Sequence, residues 1–233
     1  AHMYGLAFEF LYEFCSGCHV YFLTRMPSPK IILQAFAEVK PKIVIAVPLI
    51  IEKIIKKNVL PKLETPTMKF LLKVPLVSDK IKATVREQVM NAFGGNFYEV
   101  IVGGAAFNQE VEAFLRSINF PYTVGYGMTE CAPIISYEDW DKFKAGSCGK
   151  AAPRMEVQIL SRDPQNIPGE IVTRGDNVML GYYKNEDATR EVIDADGWLH
   201  TGDLGVMDAE GNITIKGRSK NMLLGPSGQN IYP

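Results

Sequence analysis

The spacing of hydrophobic residues divides the chain into two parts. Up to residue 125, short apolar runs alternate with longer segments in which hydrophobic residues recur at helical spacing. The runs 43–47 and 98–102 are rich in Val and Ile, as in strands buried on both faces of a parallel sheet. Ser78 precedes a helical pattern that ends near Phe93, and we expect it to be the N-cap. The pattern predicts an α/β fold, with a mostly parallel sheet and helices on its faces.

After Glu130 the apolar segments become shorter and are separated by turn residues. Strand patterns occupy residues 155–160, 169–174, 198–200, 205–208 and 212–216. Short strands at this spacing predict a small antiparallel β-barrel. We therefore expect three parts: an α/β part at 1–146, a β-barrel subdomain at 147–216 and a hinge or linker at 217–233.

Composition is that of an ordinary globular protein, with 47% hydrophobic and 22% charged residues among 233. A formal net charge of −1 argues against a nucleic-acid surface, which needs a basic excess. The start of the chain has no signal-peptide pattern, and four cysteines are too few for a disulfide scaffold, so we expect a cytoplasmic location.

Two segments suggest other partners. Residues 15–19 match the CxxCH pattern of haem attachment, but chance occurrence at a Ser-Gly turn is the better interpretation without an export signal. Residues 52–73 mix apolar side chains with six lysines. Such a segment can lie on a membrane surface, although a solvated helix face with a buried stripe is the more common structure.

The segment 122–130, YTVGYGMTE, carries the strongest candidate chemistry. Gly125 and Gly127 on either side of Tyr126 suit a tight turn that approaches a ligand closely. The Thr129 hydroxyl and backbone N–H groups could hold a phosphate, and Glu130 could hold its magnesium. Tyr126 offers a face on which a base can stack. A nucleotide site is therefore one interpretation, and a strand end with a glycine turn is the other.

Two more motifs have the same two interpretations. A run of small residues from Gly103 to Ala106 follows a predicted strand, and Asn108 then caps a helix. Asp203, in the sequence HTGD, is predicted to lie on a turn after a strand, where it could accept hydrogen bonds from a sugar diol. The alternatives are tight strand–helix packing and an ordinary turn aspartate.

The order GGAAF, YGMTE, GEI, GYY, HTGD and GRSKN resembles the AMP-forming acyl-CoA synthetases of the adenylate-forming superfamily. The resemblance covers essentially the whole chain. It implies two α/β subdomains and a small β-barrel. It also implies a two-step reaction: a carboxylate attacks the α-phosphorus of ATP to give acyl-AMP and pyrophosphate, and the thiol of coenzyme A then displaces AMP.

The resemblance also implies roles for individual residues. Catalysis would fall to Thr129 and Glu130, with Glu130 binding Mg²⁺. The ATP- and AMP-binding residues would be Gly104, Ala105, Ala106, Tyr126, Gly127, Met128, Thr129, Asp203 and Arg218. The acyl pocket would include His2, Gly103, Gly125 and Pro133. Lys220 would form the hinge to a C-terminal domain.

The family's glycine-rich phosphate loop and its catalytic lysine are not found in this sequence. We therefore expect an internal part of a longer protein, folded but inactive alone and prone to self-association.

Met128, His200 and Lys220 favour an acyl-CoA synthetase over a peptide-synthetase domain. The apolar run 133–135 and the lysine-rich segment favour a long-chain fatty acid. The alternatives are an aryl or amino acid substrate, and a non-catalytic nucleotide- or lipid-binding module.

Overall fold

The computed structural model describes residues 2–24, 26, 28–219, 223–224 and 230–231. The chain forms two compact units, residues 1–123 and 124–233. This division precedes the boundary expected near Ser147, because strands on both sides of that position share one core, in which Ile135 packs with Ile159 and Ile171. The division into parts 1–146, 147–216 and 217–233 stays a prediction.

The first unit alternates helices and strands, as its sequence pattern predicts. A π-helix at Gly5–Leu11 continues directly into the first α-helix. The helices are α1 (Tyr12–Cys15), α2 (Pro29–Val39), α3 (Pro48–Asn58), α4 (Leu60–Leu63), α5 (Pro66–Leu71), α6 (Pro75–Ala92) and α7 (Gln109–Ser117). The strands are β1 (Ile43–Ala46), β2 (Glu99–Val102) and β3 (Tyr122–Val124).

The sheet of this unit has the order β1-β2-β3, and β1 pairs with β2 in parallel from Ile43 opposite Glu99 to Ala46 opposite Val102. Its central strand is buried on one face, where Val100 and Val102 have no exposed surface; on the other face Glu99 is buried and Ile101 is half-buried. Phe93 and Leu115, from helices beside the sheet, are equally buried. The predicted α/β class is confirmed.

The N-terminal ends of α6 and α7 show which sequence signals determine where a helix begins. Asn108 caps α7 as predicted, because its side chain accepts the Val111 N–H at 3.1 Å. The prediction that Ser78 caps α6 is wrong: the helix begins at Pro75, and Ser78 is buried within it. Proline at the first helical position has the φ angle of a helix already and lacks an N–H that would go unbonded. Among the described helices, none has both the length and the hydrophobicity needed to cross a membrane.

The second unit is mostly antiparallel. Its strands are β4 (Tyr126–Gly127), β5 (Ile134–Tyr137), β6 (Lys150–Ala151), β7 (Met155–Leu160), β8 (Gly169–Gly175), β9 (Leu199–Met207), β10 (Ile213–Arg218), β11 (Leu223–Leu224) and β12 (Asn230–Ile231). A 3₁₀-helix spans Thr129–Cys131, and α8 spans Glu186–Val192.

The predicted barrel is not closed. The described strands form a four-stranded sheet of order β10-β9-β8-β7, a separate three-stranded sheet of order β4-β5-β6 and the two-stranded pair β11-β12. Because β7 and β10 lie at opposite edges of the larger sheet and do not pair with each other, the sheet remains open in the described part of the chain. The predicted antiparallel strands are confirmed, but the prediction that they close into a barrel is wrong for the described residues.

Strand β9 is continuous where the sequence predicted two strands with a turn between them. Gly202 adopts a φ of 69°, and the pairing register with β8 shifts between Glu170 and Val172. A glycine in the left-handed region lets the strand bulge without ending. Asp203 therefore lies within a strand, next to a bulge, and not on a turn.

Candidate functional site

Asp203 is a buried carboxylate with two side-chain partners. Its Oδ2 accepts a hydrogen bond from the Tyr126 hydroxyl at 2.8 Å, and its Oδ1 accepts one from Nε of Arg218 at 2.9 Å. The Asp203 side chain is 8% exposed, whereas that of Arg218 is 67% exposed. Tyr126 of the YGMTE motif and Asp203 of the HTGD motif are 77 residues apart in sequence. Their hydrogen bond therefore joins the two motifs in one network.

Tyr126 belongs to the core of the second unit. Its ring lies in a cluster with Cys131, Ile135 and other buried residues, and only 7% of the residue is exposed. Burial, and then the nearby Asp203 charge, raise the pKa of the Tyr126 hydroxyl well above its ordinary value. At neutral pH the phenol is therefore a proton donor to Asp203. Stacking of this ring on adenine stays a prediction.

The backbone of β9 holds Asp203 in place through Thr201. The Thr201 hydroxyl accepts the Asp203 N–H at 3.1 Å and donates to the carbonyl of Ile171 at 2.7 Å. A hydroxyl that both donates and accepts can link a bulged segment to the neighbouring strand.

Glu170 supports the same bulge from β8. Its Oε1 accepts the Gly202 N–H at 3.1 Å, and its Oε2 lies 2.9 Å from Nδ1 of His200. Glu170 belongs to the GEI motif, and its sequence alone predicted no role for this glutamate. No local pattern signals it, because Gly202 and His200 lie 32 and 30 residues away.

Glu130 lies in the 3₁₀-helix that follows the YGM turn, with its side chain joined to a later part of the chain. The Tyr182 hydroxyl donates to Oε1 of Glu130 at 2.9 Å, and the Met179 N–H donates to the Glu130 carbonyl at 2.7 Å. Partial burial, and then the hydrogen bond to Glu130, raise the pKa of Tyr182 above its ordinary value. Tyr182, the first tyrosine of the GYY motif, thus contacts a predicted site residue, although the sequence motifs did not predict this contact.

The turn after Tyr126 explains one of its two glycines. A Cβ at Gly127 would overlap the carbonyl oxygen of Pro133, which accepts the Met128 N–H at 2.8 Å. A Cβ at Gly125 would meet only ordinary contacts, the nearest being Ile134 at 3.6 Å. The turn itself therefore requires glycine at position 127, whereas the protein contacts at position 125 do not.

The residues predicted from the GGAA run lie in the first unit. Gly103 is buried beside the ring of Tyr4, which a Cβ would approach to 2.9 Å. Gly104, Ala105 and Ala106 are exposed, and Gly104 has a φ of 85°. The chain then reaches α7, where the Asn108 N–H donates to the Glu52 carboxylate at 3.1 Å.

Three further predictions concern the ends of the chain. His2 is exposed, and its Nδ1 accepts the Tyr4 N–H at 3.2 Å. Cys15 and Cys18 are exposed free thiols on either side of the Ser16–Gly17 turn, so the predicted turn is confirmed. Lys220 lies outside the described residues, and its hinge role stays a prediction.

The oxygen donors at Thr129 and Glu130 fit magnesium. Mg²⁺ prefers oxygen ligands and is commonly held by one or two carboxylates together with substrate phosphates and water. Within the described part of the chain, no group of three or more His, Cys, Asp or Glu side chains could hold a metal alone. A single carboxylate next to a hydroxyl is a donor set that a metal bound to substrate phosphates could use.

Comparison with known proteins adds the following. The family model described as AMP-binding enzyme matches residues 1–183. The chain is 46% identical over 114 residues to a long-chain-fatty-acid–CoA ligase of Escherichia coli, a match that covers 47% of this chain and 20% of the relative. It is 32% identical over 223 residues to such a ligase of Rattus norvegicus, covering 87% of this chain and 33% of the relative.

The 4-coumarate–CoA ligase 1 of Oryza sativa is 35% identical over 164 residues, which cover 64% of this chain and 29% of the relative. This chain thus spans a third or less of the length of these curated relatives. Among solved structures, O-succinylbenzoate coenzyme A synthetase of Bacillus subtilis with ATP and magnesium ion superposes with a TM-score of 0.75 at 24% identity. That match covers 100% of this chain and 42% of the other, and it supports the fold alone.

Proposed function

Because this chain belongs to the family of AMP-binding enzymes, we propose that it is part of an acyl-CoA synthetase that activates a long-chain fatty acid with ATP. The observation that carries the proposal is the 2.8 Å hydrogen bond between Tyr126 and Asp203. It joins the two motifs that are expected to bind the phosphates and the ribose of one nucleotide.

The proposed reaction has two substitutions. A carboxylate oxygen of the acid bonds to the α-phosphorus of ATP, and the bond to pyrophosphate breaks. The thiol sulfur of coenzyme A then bonds to the acyl carbon, and AMP leaves. Substitution at phosphorus depends mainly on alignment and on charge neutralisation, so the protein needs positioned donors and acceptors and no nucleophile of its own.

Asp203 is the proposed acceptor for the ribose hydroxyls. A carboxylate has about four lone-pair positions, and Tyr126 and Arg218 each use one. Because Asp203 is buried and Arg218 lies over it at the surface, the ribose would share this carboxylate with Arg218 or displace its side chain. A displaced guanidinium would stay close enough to meet a phosphate, which agrees with the role implied for Arg218.

Thr129 and Glu130 are the proposed phosphate and metal residues. The Thr129 hydroxyl would donate to a phosphate oxygen, and the Glu130 carboxylate would hold the metal. Magnesium, when bound, neutralises charge on the phosphates. Tyr182 would keep one Glu130 oxygen oriented, because its hydroxyl already donates to Oε1.

The proposal of a fatty-acid substrate is supported by the names of the relatives and by the apolar residues after Glu130. Two of the relatives are named long-chain-fatty-acid–CoA ligases, and the segment after Glu130 is apolar. The 4-coumarate ligase supports an aryl acid as the second candidate. A panel of hexadecanoate, octanoate and 4-coumarate, assayed with ATP and coenzyme A, separates the two. The cytoplasmic location and self-association stay predictions.

The decisive test is acid-dependent ATP–pyrophosphate exchange by the complete gene product that contains this sequence. We expect Glu130→Gln to reduce exchange at least about a hundredfold, since a metal-binding carboxylate acts directly on the transition state. Glu186→Gln, at a side chain that is 88% exposed in the same unit, is the matched control and should exchange normally. Near-normal exchange by Glu130→Gln would refute the metal role.

A further inference from the structure

The first unit contains a cavity whose lining includes none of the residues assigned to nucleotide chemistry. Its volume is about 510 Å³, and it lies among helices α2 to α6. Most of its wall is aliphatic, including Leu33, Ile54, Leu63, Met68, Ile81 and Val85. Small-molecule sites commonly have about 300–1,000 Å³ and a mainly apolar lining with a few polar groups. This cavity therefore has the size and the lining of a ligand site.

The polar part of the lining has one sign of charge. Lys62, from α4, and Lys80, from α6, both line the cavity, and no Asp or Glu is among its lining residues. Both lysines are exposed, and an exposed lysine that lines an apolar cavity can keep its ammonium group in water while its aliphatic stem covers apolar surface. The other polar lining residues, Thr84 and Gln88, are also exposed and mark the same open side.

We propose that this cavity binds a long-chain monocarboxylate, with its alkyl chain against the aliphatic wall and its carboxylate between Lys62 and Lys80. A neutral hydrocarbon would leave the two ammonium groups without a counter-charge. A nucleotide or sugar would find few hydrogen-bond partners in the wall. The charge complementarity at the rim therefore selects an amphiphilic anion. The site lies outside the residues proposed for adenylation and does not depend on that activity.

The first test is direct binding to the purified 233-residue chain, measured by calorimetry below the micelle concentration of each ligand. Each buried methylene is worth about 0.8 kcal/mol, so affinity should rise about fourfold per methylene from octanoate upward until the cavity is filled. Dodecanol, which lacks the charge, should bind about five- to tenfold more weakly than dodecanoate, because exposed ion pairs are individually modest.

Two pairs of variants locate the binding site. Thr84→Trp places an indole at the mouth of the cavity and should weaken dodecanoate binding at least tenfold. Ala83→Trp is its control, because Ala83 is exposed on the same helix but does not line the cavity. Lys62→Gln with Lys80→Gln should weaken binding about five- to tenfold. Lys69→Gln with Lys73→Gln, which removes the same charge from lysines that do not line the cavity, should leave it within twofold.

Equal losses in test and control variants would overturn the proposal, because they would show general attraction to a basic apolar surface. Affinity that does not depend on chain length would overturn it too. Circular dichroism checks folding, and the lysine pair keeps the test decisive should Thr84→Trp fail to fold. Failure here would leave ATP–pyrophosphate exchange by the complete gene product unaffected, so the two proposals fail separately.

Discussion

The hydroxyl of Tyr182 donates a 2.9 Å hydrogen bond to the carboxylate of Glu130, across 52 residues of sequence. Glu130 is thus oriented by a residue that its own turn does not contain. Hydrogen bonds to charged groups are typically worth about 1.5–3 kcal/mol when shielded, but Tyr182 is 38% exposed, so its contribution is smaller. An orienting bond of this kind should affect metal affinity more than the chemical step.

Tyr182→Phe tests this relationship in the complete gene product. We expect the Mg²⁺ concentration for half-maximal ATP–pyrophosphate exchange to rise about three- to tenfold, with the rate at saturating Mg²⁺ nearly unchanged. Tyr183→Phe is the control, because Tyr183 is 88% exposed and adjacent. A loss of maximal rate with an unaltered Mg²⁺ requirement would show that Tyr182 does not act through Glu130.

Sequence patterns predicted best where the determining contacts are local. The Asn108 cap involves Val111, three residues away, and β1 and β2 coincide with the predicted runs rich in Val and Ile. The α/β class follows from such signals. Ser78 shows the limit, because a serine before a helical pattern competes with the proline at position 75, and the proline determines the start.

The sequence patterns could not predict contacts between residues that are far apart in the chain. Whether β7 and β10 close a barrel depends on strand order, which no local pattern contains. The partners of the site are equally remote: Glu170 reaches Gly202, and Tyr182 reaches Glu130, from separate strands or turns. Motifs predicted which segments matter, and the fold determines which side chains in them meet.

The two glycines beside Tyr126 should respond differently to alanine. At Gly127 a Cβ would overlap Pro133 backbone, so Gly127→Ala should destabilise the chain by about 2–4 kcal/mol. At Gly125 the contacts are ordinary, and Gly125→Ala should change stability by less than about 1 kcal/mol. Urea denaturation of both variants gives the comparison. Equal stability of the two would contradict the structural account of this turn.

Removing the Tyr126 hydroxyl should lower the stability of the folded chain, because Asp203 then loses a hydrogen bond. Tyr126→Phe keeps the ring in the core but leaves a buried carboxylate with one partner fewer, at a cost of about 1–3 kcal/mol. The folded-state pKa of Tyr126 is raised above 10.0, so its contribution is present below that pH and is lost as pH rises further.

The stability difference between wild type and Tyr126→Phe, measured by urea denaturation, should therefore be constant from pH 7 to 9 and should change only in strong alkali. Tyr183→Phe, which alters an exposed phenol, should stay within about 0.5 kcal/mol of wild type throughout. A Tyr126→Phe variant as stable as wild type would show that Asp203 does not need this hydrogen bond.

Thiol reactivity offers a check on the core beside Glu130. Cys131 has no exposed surface, and burial, followed by the Glu130 charge, raises the pKa of its thiol to about 12. At pH 8 Cys131 is therefore almost entirely in the thiol form, and alkylation requires the thiolate. We expect iodoacetamide to label the exposed Cys15 and Cys18 at least about a hundredfold faster than Cys131.

Peptide mass spectrometry over time measures the three rates, and the same experiment in urea should make them similar. Rapid labelling of Cys131 in the folded chain would mean that the segment carrying Glu130 opens readily, and the contact with Tyr182 would then be too transient to orient a metal ligand.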